Sequence, residues 1–152
     1  MAQLRFRSRS EHSLDSKGRL NIPSRFREVL REVYSENLVI TNWDRCLRAY
    51  PVSEWDILEE KLSSDEAQAQ ADINDFVRYV ISGVTECSLD KQGRILLPQM
   101  LRSEFNIEKD VVLNGMLNYF EIWDRGAWAE QARVTRARFT DFEPGMSALK
   151  IR

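Results

Sequence analysis

The sequence predicts an α+β fold in which one small β-rich unit occurs twice, with the two copies related by a pseudo-two-fold axis. The first observation is an internal repeat: Leu14–Pro23, LDSKGRLNIP, returns 75 residues later as Leu89–Pro98, LDKQGRILLP. The second is that a short helical pattern follows each copy, and two apolar strands joined by a polar turn follow that helix. An Arg also comes four residues after each repeated Pro, at Arg27 and Arg102.

In the first copy, residues 5–14 alternate loosely between polar and apolar side chains and predict an edge strand. Asp15–Gly18 predicts a turn, because Asp favours the first position and Gly tolerates a positive φ. The short strand Arg19–Ile22 is expected to pair back on the first strand as a hairpin. Pro23 suits the first turn of a helix, and Ser24–Val33 continues that helix with one apolar face. Strands over 38–41 and 46–51, joined by a turn over 42–45, complete the copy.

The second copy repeats this order, with strands over 111–113 and 119–123, and helical patterns connect and follow the two copies. Residues 53–61 and 65–81 predict two connecting helices, and a final helix is expected from Trp128 to about Arg138. Residues 140–152 have little pattern and predict a mobile tail. The predicted organisation is a first module over 6–53, a helical insert over 54–83, a second module over 84–127, and a C-terminal helix and tail over 128–152.

The net charge of -2 conceals an uneven distribution along the chain. Residues 1–35 hold eight Lys and Arg against four Asp and Glu, whereas residues 36–85 hold four against ten. A basic N-terminal module therefore precedes an acidic middle. Local fields of this kind matter more for nucleic-acid binding than the total charge does.

Arg19 and Arg94 come directly after the two Gly turns and are the strongest candidates for a functional role. One interpretation is structural, in which each guanidinium forms an ion pair with the Asp four residues earlier. The other is that a guanidinium held in this way recognises a phosphate or a guanine base. The two interpretations are compatible, because the paired carboxylate would orient the guanidinium. The Asp and Gly of each motif are expected to be structural: Asp15, Gly18, Asp90 and Gly93.

The first loop carries more positive charge than the second. Lys17 lies in its turn, whereas the second loop has Gln92 at that position and Lys91 one residue earlier. If both loops face nucleic acid, the first should contribute more of the phosphate affinity. The strand before the first loop adds three alternating cations, which predict either an electrostatic footprint on one strand face or a solubilising edge that prevents strand pairing: Arg5, Arg7 and Arg9.

The residue pattern argues against catalysis. Asp15 and Asp90 are related by the repeat, as in an aspartic protease dyad, but an Arg beside each would keep it ionised and disfavour a shared proton. His12 is the single histidine, and neither a nucleophile–histidine pair nor metal-ligand spacing stands out. We expect no catalytic residue, metal, cofactor or small-molecule substrate.

Cys46 and Cys87 are expected to be reduced, and the lack of an apolar run near ~20 residues predicts a cytosolic protein with no membrane partner.

Two Asp-x-x-Gly-Arg motifs, each followed by a short strand, a Pro and a downstream hairpin with Trp, resemble the MraZ family of bacterial proteins, which are built from two SpoVT-AbrB modules. Asp15–Leu20 and Glu54–Trp55 fit the first module, and Asp90–Arg94 and Phe120–Trp123 fit the second. The resemblance spans nearly the whole chain, about residues 6–131. It implies that the two modules together complete a swapped-hairpin β-barrel, which a single module forms by dimerisation.

The same resemblance implies a transcriptional regulator that binds short direct repeats in double-stranded DNA, near a promoter of the operon for division and cell-wall synthesis. It further implies a ring-shaped homo-oligomer in the cytoplasm or on the nucleoid. The family's DNA contacts correspond here to Lys17, Arg19 and Arg94, and Lys91 is a looser candidate. The alternatives are an oligomeric scaffold whose loops contact proteins, and an AbrB-type antitoxin, which typically has one module and a disordered tail.

Overall fold

A computed structural model describes residues 3–152 of the protein. Two short strands, a helix, two longer strands and a second helix occur in this order in both halves. The first half contains β1 (Arg9–Ser13), β2 (Arg19–Asn21), α1 (Ser24–Val33), β3 (Asn37–Asn42), β4 (Leu47–Pro51), α2 (Val52–Leu62), α3 (Asp65–Gln68), α4 (Ala71–Val80) and a 3-10 turn at Ile81–Gly83. The second half contains β5 (Thr85–Ser88), β6 (Arg94–Leu96), α5 (Gln99–Glu104), β7 (Asp110–Gly115), β8 (Phe120–Asp124), α6 (Arg125–Ala137), a 3-10 turn at Phe139–Phe142 and α7 (Glu143–Ala148).

Six of these strands form one antiparallel sheet in the order β1-β7-β8-β4-β3-β5, and β2 and β6 form a separate two-stranded ladder. The predicted α+β class is thereby confirmed. The sheet is open, with β1 and β5 as its edges, so the prediction of a closed barrel is wrong. The physical reason is that the backbone groups of β2 and β6 form hydrogen bonds with each other. These strands therefore do not bridge the two edges of the larger sheet.

The short strand after each Gly turn crosses to the other half of the chain. β2 pairs with β6, with Leu20 opposite Ile95, whereas β1 pairs with β7. The predicted hairpin between residues 5–14 and 19–22 is therefore wrong. The crossing is favoured by burial: Leu20 is 0% and Ile95 1% exposed in the shared core. Full burial of one such side chain contributes about 1.5–3 kcal/mol to folding.

The six-stranded sheet lies between two apolar layers. On one face, the β2–β6 ladder, α1 and α5 pack in a core that contains a triad of aromatic rings, with centroids 5.0 to 5.4 Å apart: Phe6, Phe26 and Phe120. On the opposite face, α2 and α4 cover the first half of the sheet, and α6 packs on the second half. The ladder and its two Gly loops are therefore separated from α6 by the sheet.

The helices agree with the sequence patterns where an apolar stripe is continuous. α1 covers Ser24–Val33 as predicted. The single helix predicted over 65–81 is two helices, because Gln70 is extended (φ -90°, ψ 119°) and the apolar stripe begins only at Ile73. The predicted mobile tail over 140–152 contains a 3-10 turn and α7, with Pro144 in the first turn of α7, where its missing N–H is not needed.

Candidate nucleic-acid interface

Each Gly turn is organised around its Asp carboxylate. Asp15 Oδ1 accepts hydrogen bonds from the backbone N–H groups of Lys17 (2.9 Å) and Arg19 (2.8 Å), and Oδ2 accepts one from Arg19 Nε (2.6 Å). The second loop repeats these contacts around Asp90, with all three distances at 2.9 Å. The turn glycine has a positive φ in both loops, 84° in the first and 77° in the second. Both guanidiniums are thus held through Nε.

These hydrogen bonds keep both carboxylates charged. The backbone N–H of Arg19, together with its guanidinium and the N–H of Lys17, lowers the pKa of Asp15 to about 2. The equivalent contacts of Arg94 lower the pKa of Asp90. Because each carboxylate is ionised and already paired, a proton shared between them is disfavoured, and the geometry argues against aspartic-protease chemistry.

The remaining guanidinium nitrogens are the groups that a ligand could use. Among the hydrogen bonds of residues 3–152, none involves an Nη atom of Arg19, and its side chain is 34% exposed. Arg94 is 25% exposed, and its Nη1 lies 4.0 Å from Asp15 Oδ2. An arginine fixed at Nε with free Nη atoms can donate two parallel hydrogen bonds to a phosphate or to guanine.

The two loops lie side by side because of the crossed ladder. In its register, Arg19 is opposite Leu96 and Asn21 is opposite Arg94. The approach of Arg94 to Asp15 connects the two loops directly. The loops therefore form one surface, although they are 75 residues apart in the sequence.

Two further arginines, to which the sequence analysis assigned no role, complete this surface. Arg102 of the second half packs on the Gly18 turn of the first, and Arg27 of the first half packs on the Gly93 turn of the second. Their Nε atoms donate to backbone carbonyls, Arg102 to Leu97 (3.0 Å) and Arg27 to Ile22 (3.1 Å). The recurrence of Arg four residues after each Pro was the available signal, but only the crossed ladder shows which loop each one contacts.

Lys17 and Lys91 are both exposed and add charge beside the guanidiniums. We refer to the six cationic side chains around the two turns as the paired-loop surface: Lys17, Arg19, Arg27, Lys91, Arg94 and Arg102.

The structure corrects the prediction that Arg5, Arg7 and Arg9 share one strand face. Strand β1 begins only at Arg9, and Ser8 has a left-handed φ of 82° that interrupts the alternation. Arg5 Nη1 donates to Asn118 Oδ1 (2.8 Å), and the guanidinium of Arg9 lies 4.7 Å from the ring centroid of Trp128. The alternation is interrupted because Phe6 is buried in the core and its backbone pairs with that of Leu117 before β1 begins.

The remaining candidate groups show little reactivity. Cys46 and Cys87 are free thiols, and burial raises the pKa of both, that of Cys87 to about 12, so neither is an activated nucleophile. Within residues 3–152, His, Cys, Asp and Glu side chains form no cluster of three or more that could hold a metal ion. None of the helices in the described part of the chain combines the length and apolar character that crossing a bilayer requires.

Comparison with known proteins gives a family and several relatives. The family model described as "MraZ protein, putative antitoxin-like" matches residues 6–76 and again 80–145. The chain is 48% identical over 131 residues to a protein of Syntrophobacter fumaroxidans named "Transcriptional regulator MraZ", covering 86% of this chain and 87% of the relative. Proteins with the same name from Desulfitobacterium hafniense strain Y51 (47% over 125 residues, 80% and 82% covered) and Pediococcus pentosaceus (44% over 140 residues, 90% and 92% covered) are similar to it as well.

Proposed function

This chain belongs to the MraZ family, and from that premise we propose that it regulates transcription by binding double-stranded DNA with the paired-loop surface. The observation that carries the proposal is the fixed orientation of Arg19 and Arg94. Each is held at Nε by an ionised carboxylate. The Nη atoms of Arg19 make no hydrogen bond within the described residues and those of Arg94 make only long contacts, so both can donate to a DNA phosphate or a guanine edge. The relatives named as transcriptional regulators support the same function.

The crossed ladder makes the two loops act as one binding unit. A two-stranded ribbon fits the major groove of B-DNA, which is about 12 Å wide. In this arrangement Arg19 and Arg94 reach base edges or the nearest phosphates, and the other four cations of the paired-loop surface contact the flanking phosphates. Arg19 contributes more than Arg94, because the Nη atoms of Arg94 are already close to Asp15 and Gln92.

The proposed target is a set of short direct repeats near the promoter of the division and cell-wall operon, bound by a ring-shaped homo-oligomer in the cytoplasm or on the nucleoid. One chain makes at most six phosphate contacts, one for each cation of the paired-loop surface, so its own affinity falls steeply with salt. Joined copies that engage several spaced repeats gain avidity without new contacts in each copy. Direct repeats suit a head-to-tail array of copies better than a palindrome does.

Fluorescence anisotropy with labelled DNA from the region upstream of the protein's own gene tests this function. Arg19→Ala should abolish specific binding while its thermal unfolding stays close to that of the wild type. Arg136→Ala, an exposed change on α6 beyond the sheet from the loops, serves as the matched control and should bind like the wild type. Wild-type affinity in Arg19→Ala would show that the paired-loop surface is not the DNA site.

The same titration with four repeats and with one repeat tests the proposed assembly on DNA. We expect a steep loss of affinity when the site is cut to a single repeat. Equal affinity for both DNAs would refute binding by several joined copies.

A further inference from the structure

A groove of about 690 Å³ lies on the face of the sheet opposite to the paired loops, between α6, strands β7 and β8, and the β3–β4 turn with the start of β4. Aromatic rings and cations line it together: Trp43, Trp123, Trp128, Arg9, Arg48 and Arg138. We refer to it as the α6 groove.

In the first half of the chain, the equivalent place is filled by α4. Val39, Tyr50 and Trp55 form a buried cluster, to which α4 contributes Val80. The counterparts of these three residues, 73 positions later, are Val112, Trp123 and Trp128, and they also cluster together. In the second half, however, α6 corresponds to α2, and no helix among residues 3–152 covers this cluster as α4 covers the first. The α6 groove therefore corresponds to the surface that α4 covers in the first half, but no helix of the described residues covers it.

Two buried polar atoms of the groove lack a hydrogen-bond partner among residues 3–152, whereas the equivalent polar atom in the first half is paired with α4. Thr41 Oγ1 donates to the carbonyl of Val80 at the end of α4 (2.5 Å). The counterpart of Thr41 is Asn114, which is more than nine-tenths buried and lines the groove. Its Oδ1 has no hydrogen-bond partner within the described residues, and neither has the buried Nε of Arg48. Because buried polar atoms are normally paired, the groove is shaped to receive a segment that supplies these partners.

Residues 139–151 follow α6 in the sequence as α4 follows α2, although they do not lie in the groove. Four apolar side chains recur there at helical spacing and form one stripe: Phe139, Phe142, Met146 and Leu149. With the same offset of 73, Met146 and Leu149 correspond to Ile73 and Phe76 of α4. Phe139 and Leu149 are 61% and 74% exposed, Phe142 is 37% exposed and Met146 is half-buried. Clustered apolar side chains with this much exposure commonly mark an interaction surface.

This segment does not fold back on its own chain as α4 does. α2 has 11 residues and residues 63–70 connect it to α4, whereas α6 has 13 residues and only 138–142 precede α7. Arg138 lies in the α6 groove, and the chain leaves the groove directly after it. A longer helix with a shorter connection therefore presents the apolar stripe away from its own groove.

We propose that the α6 groove is occupied by residues 139–151 of a second copy of this chain, so that copies exchange their C-terminal segments head to tail. The groove holds four Arg against Asp44 and Glu121, and the incoming segment holds Asp141 and Glu143 against Lys150, so the two surfaces carry opposite net charge. Asp141 lies 3.6 Å from Arg138 of its own chain, so Glu143 is the carboxylate free to pair with an Arg of the groove. The exchange is heterologous and can close into a ring. The inference deepens the homo-oligomer part of the proposed function, since it names the contact that joins the copies.

Truncation after Arg138 tests the exchange, with mass measured by size-exclusion chromatography and light scattering. The full chain should be an oligomer, and the truncated chain should fall to the mass of one copy. A synthetic peptide of residues 139–152 should then bind the truncated chain and change its Trp fluorescence, because three Trp side chains line the groove. Val134→Arg, which fills the groove from α6, should abolish peptide binding, whereas Arg133→Ala, an exposed change on the same helix, should leave it unchanged.

The outcomes separate the interface from the DNA function. A truncated chain that keeps the full oligomeric mass and shows no response to the peptide would overturn the exchange. A monomeric full-length chain whose truncated form binds the peptide would show that the segment docks on its own groove, which also overturns it. If the truncated chain is poorly folded, the mass of full-length Val134→Arg decides: loss of the oligomer supports the exchange, and an unchanged mass overturns it. Assembly without DNA binding would refute the regulator function and leave the interface standing.

Discussion

Replacing Gly18 with Ala should weaken both the fold and DNA binding, because Gly18 combines an unusual backbone conformation with a close cross-repeat contact. A φ of 84° costs an L residue about 1–2 kcal/mol relative to Gly. The added Cβ would lie 2.9 Å from Arg102 Cζ and 3.0 Å from its Nε, so the guanidinium has to move, and we expect its hydrogen bond to the Leu97 carbonyl to be lost. Loss of that hydrogen bond costs about 1 kcal/mol. The lower entropy of the unfolded Ala chain offsets about 0.4–1 kcal/mol.

The sum is a destabilisation of about 2 kcal/mol, which corresponds to a fall in Tm of about 4–8 °C for a chain of this size. Thermal unfolding followed by circular dichroism measures the fall, and anisotropy on the same samples measures DNA affinity. Gly126→Ala in the first turn of α6 is the matched control, because its Cβ would meet only Asp124 Oδ2 at 3.4 Å. Ala is favoured over Gly inside a helix by about 1 kcal/mol, so the Tm of this control should be unchanged or higher. A Tm of Gly18→Ala equal to that of the wild type would refute the reasoning.

Further variants probe the loops one by one. Lys17→Ala should weaken binding to all DNA sequences alike and reduce the log–log salt slope by about 0.9, as anisotropy over a salt series would show; an unchanged slope would contradict a phosphate contact. Arg94→Ala should reduce affinity less than Arg19→Ala, because Arg94 is already partly engaged with the first loop, and the reverse order in parallel titrations would argue against this asymmetry. Asp15 has a folded-state pKa of about 2, below its ordinary value of 3.8, so it stabilises the fold above about pH 4 and this contribution is lost as the pH falls towards 2. Asp15→Asn should therefore lose less stability than the wild type between pH 4 and 2 in urea titrations, and identical pH profiles would contradict the assignment.

The local features of this protein could be predicted from its sequence, because each depends on a few adjacent residues. The Asp–Gly turns, the Asp–Arg pairs within them and the bounds of α1 follow from turn chemistry and from an apolar stripe at helical spacing. Family membership could also be predicted, since the duplicated Asp-x-x-Gly-Arg motif is specific, and the comparisons confirm it.

The long-range pairings could not be predicted in the same way. Leu20 is equally suitable for a hairpin with β1 and for a ladder with β6, and only burial against the whole core favours β6. For the same reason, the contacts of Arg102 with the Gly18 turn and of Arg27 with the Gly93 turn were not evident from spacing. The left-handed Ser8 was also missed, because it results from anchoring Phe6 in a core formed by both halves.

The salt dependence of DNA binding by the double variant Arg19→Gln/Arg94→Gln, compared with that of the wild type, tests the central claim most directly. If the paired-loop surface binds DNA, specific binding should disappear while the Tm stays close to that of the wild type, and the log–log slope should fall by about 0.9 for each of the two guanidiniums that contacts a phosphate. A folded double variant with the slope and affinity of the wild type would contradict the account.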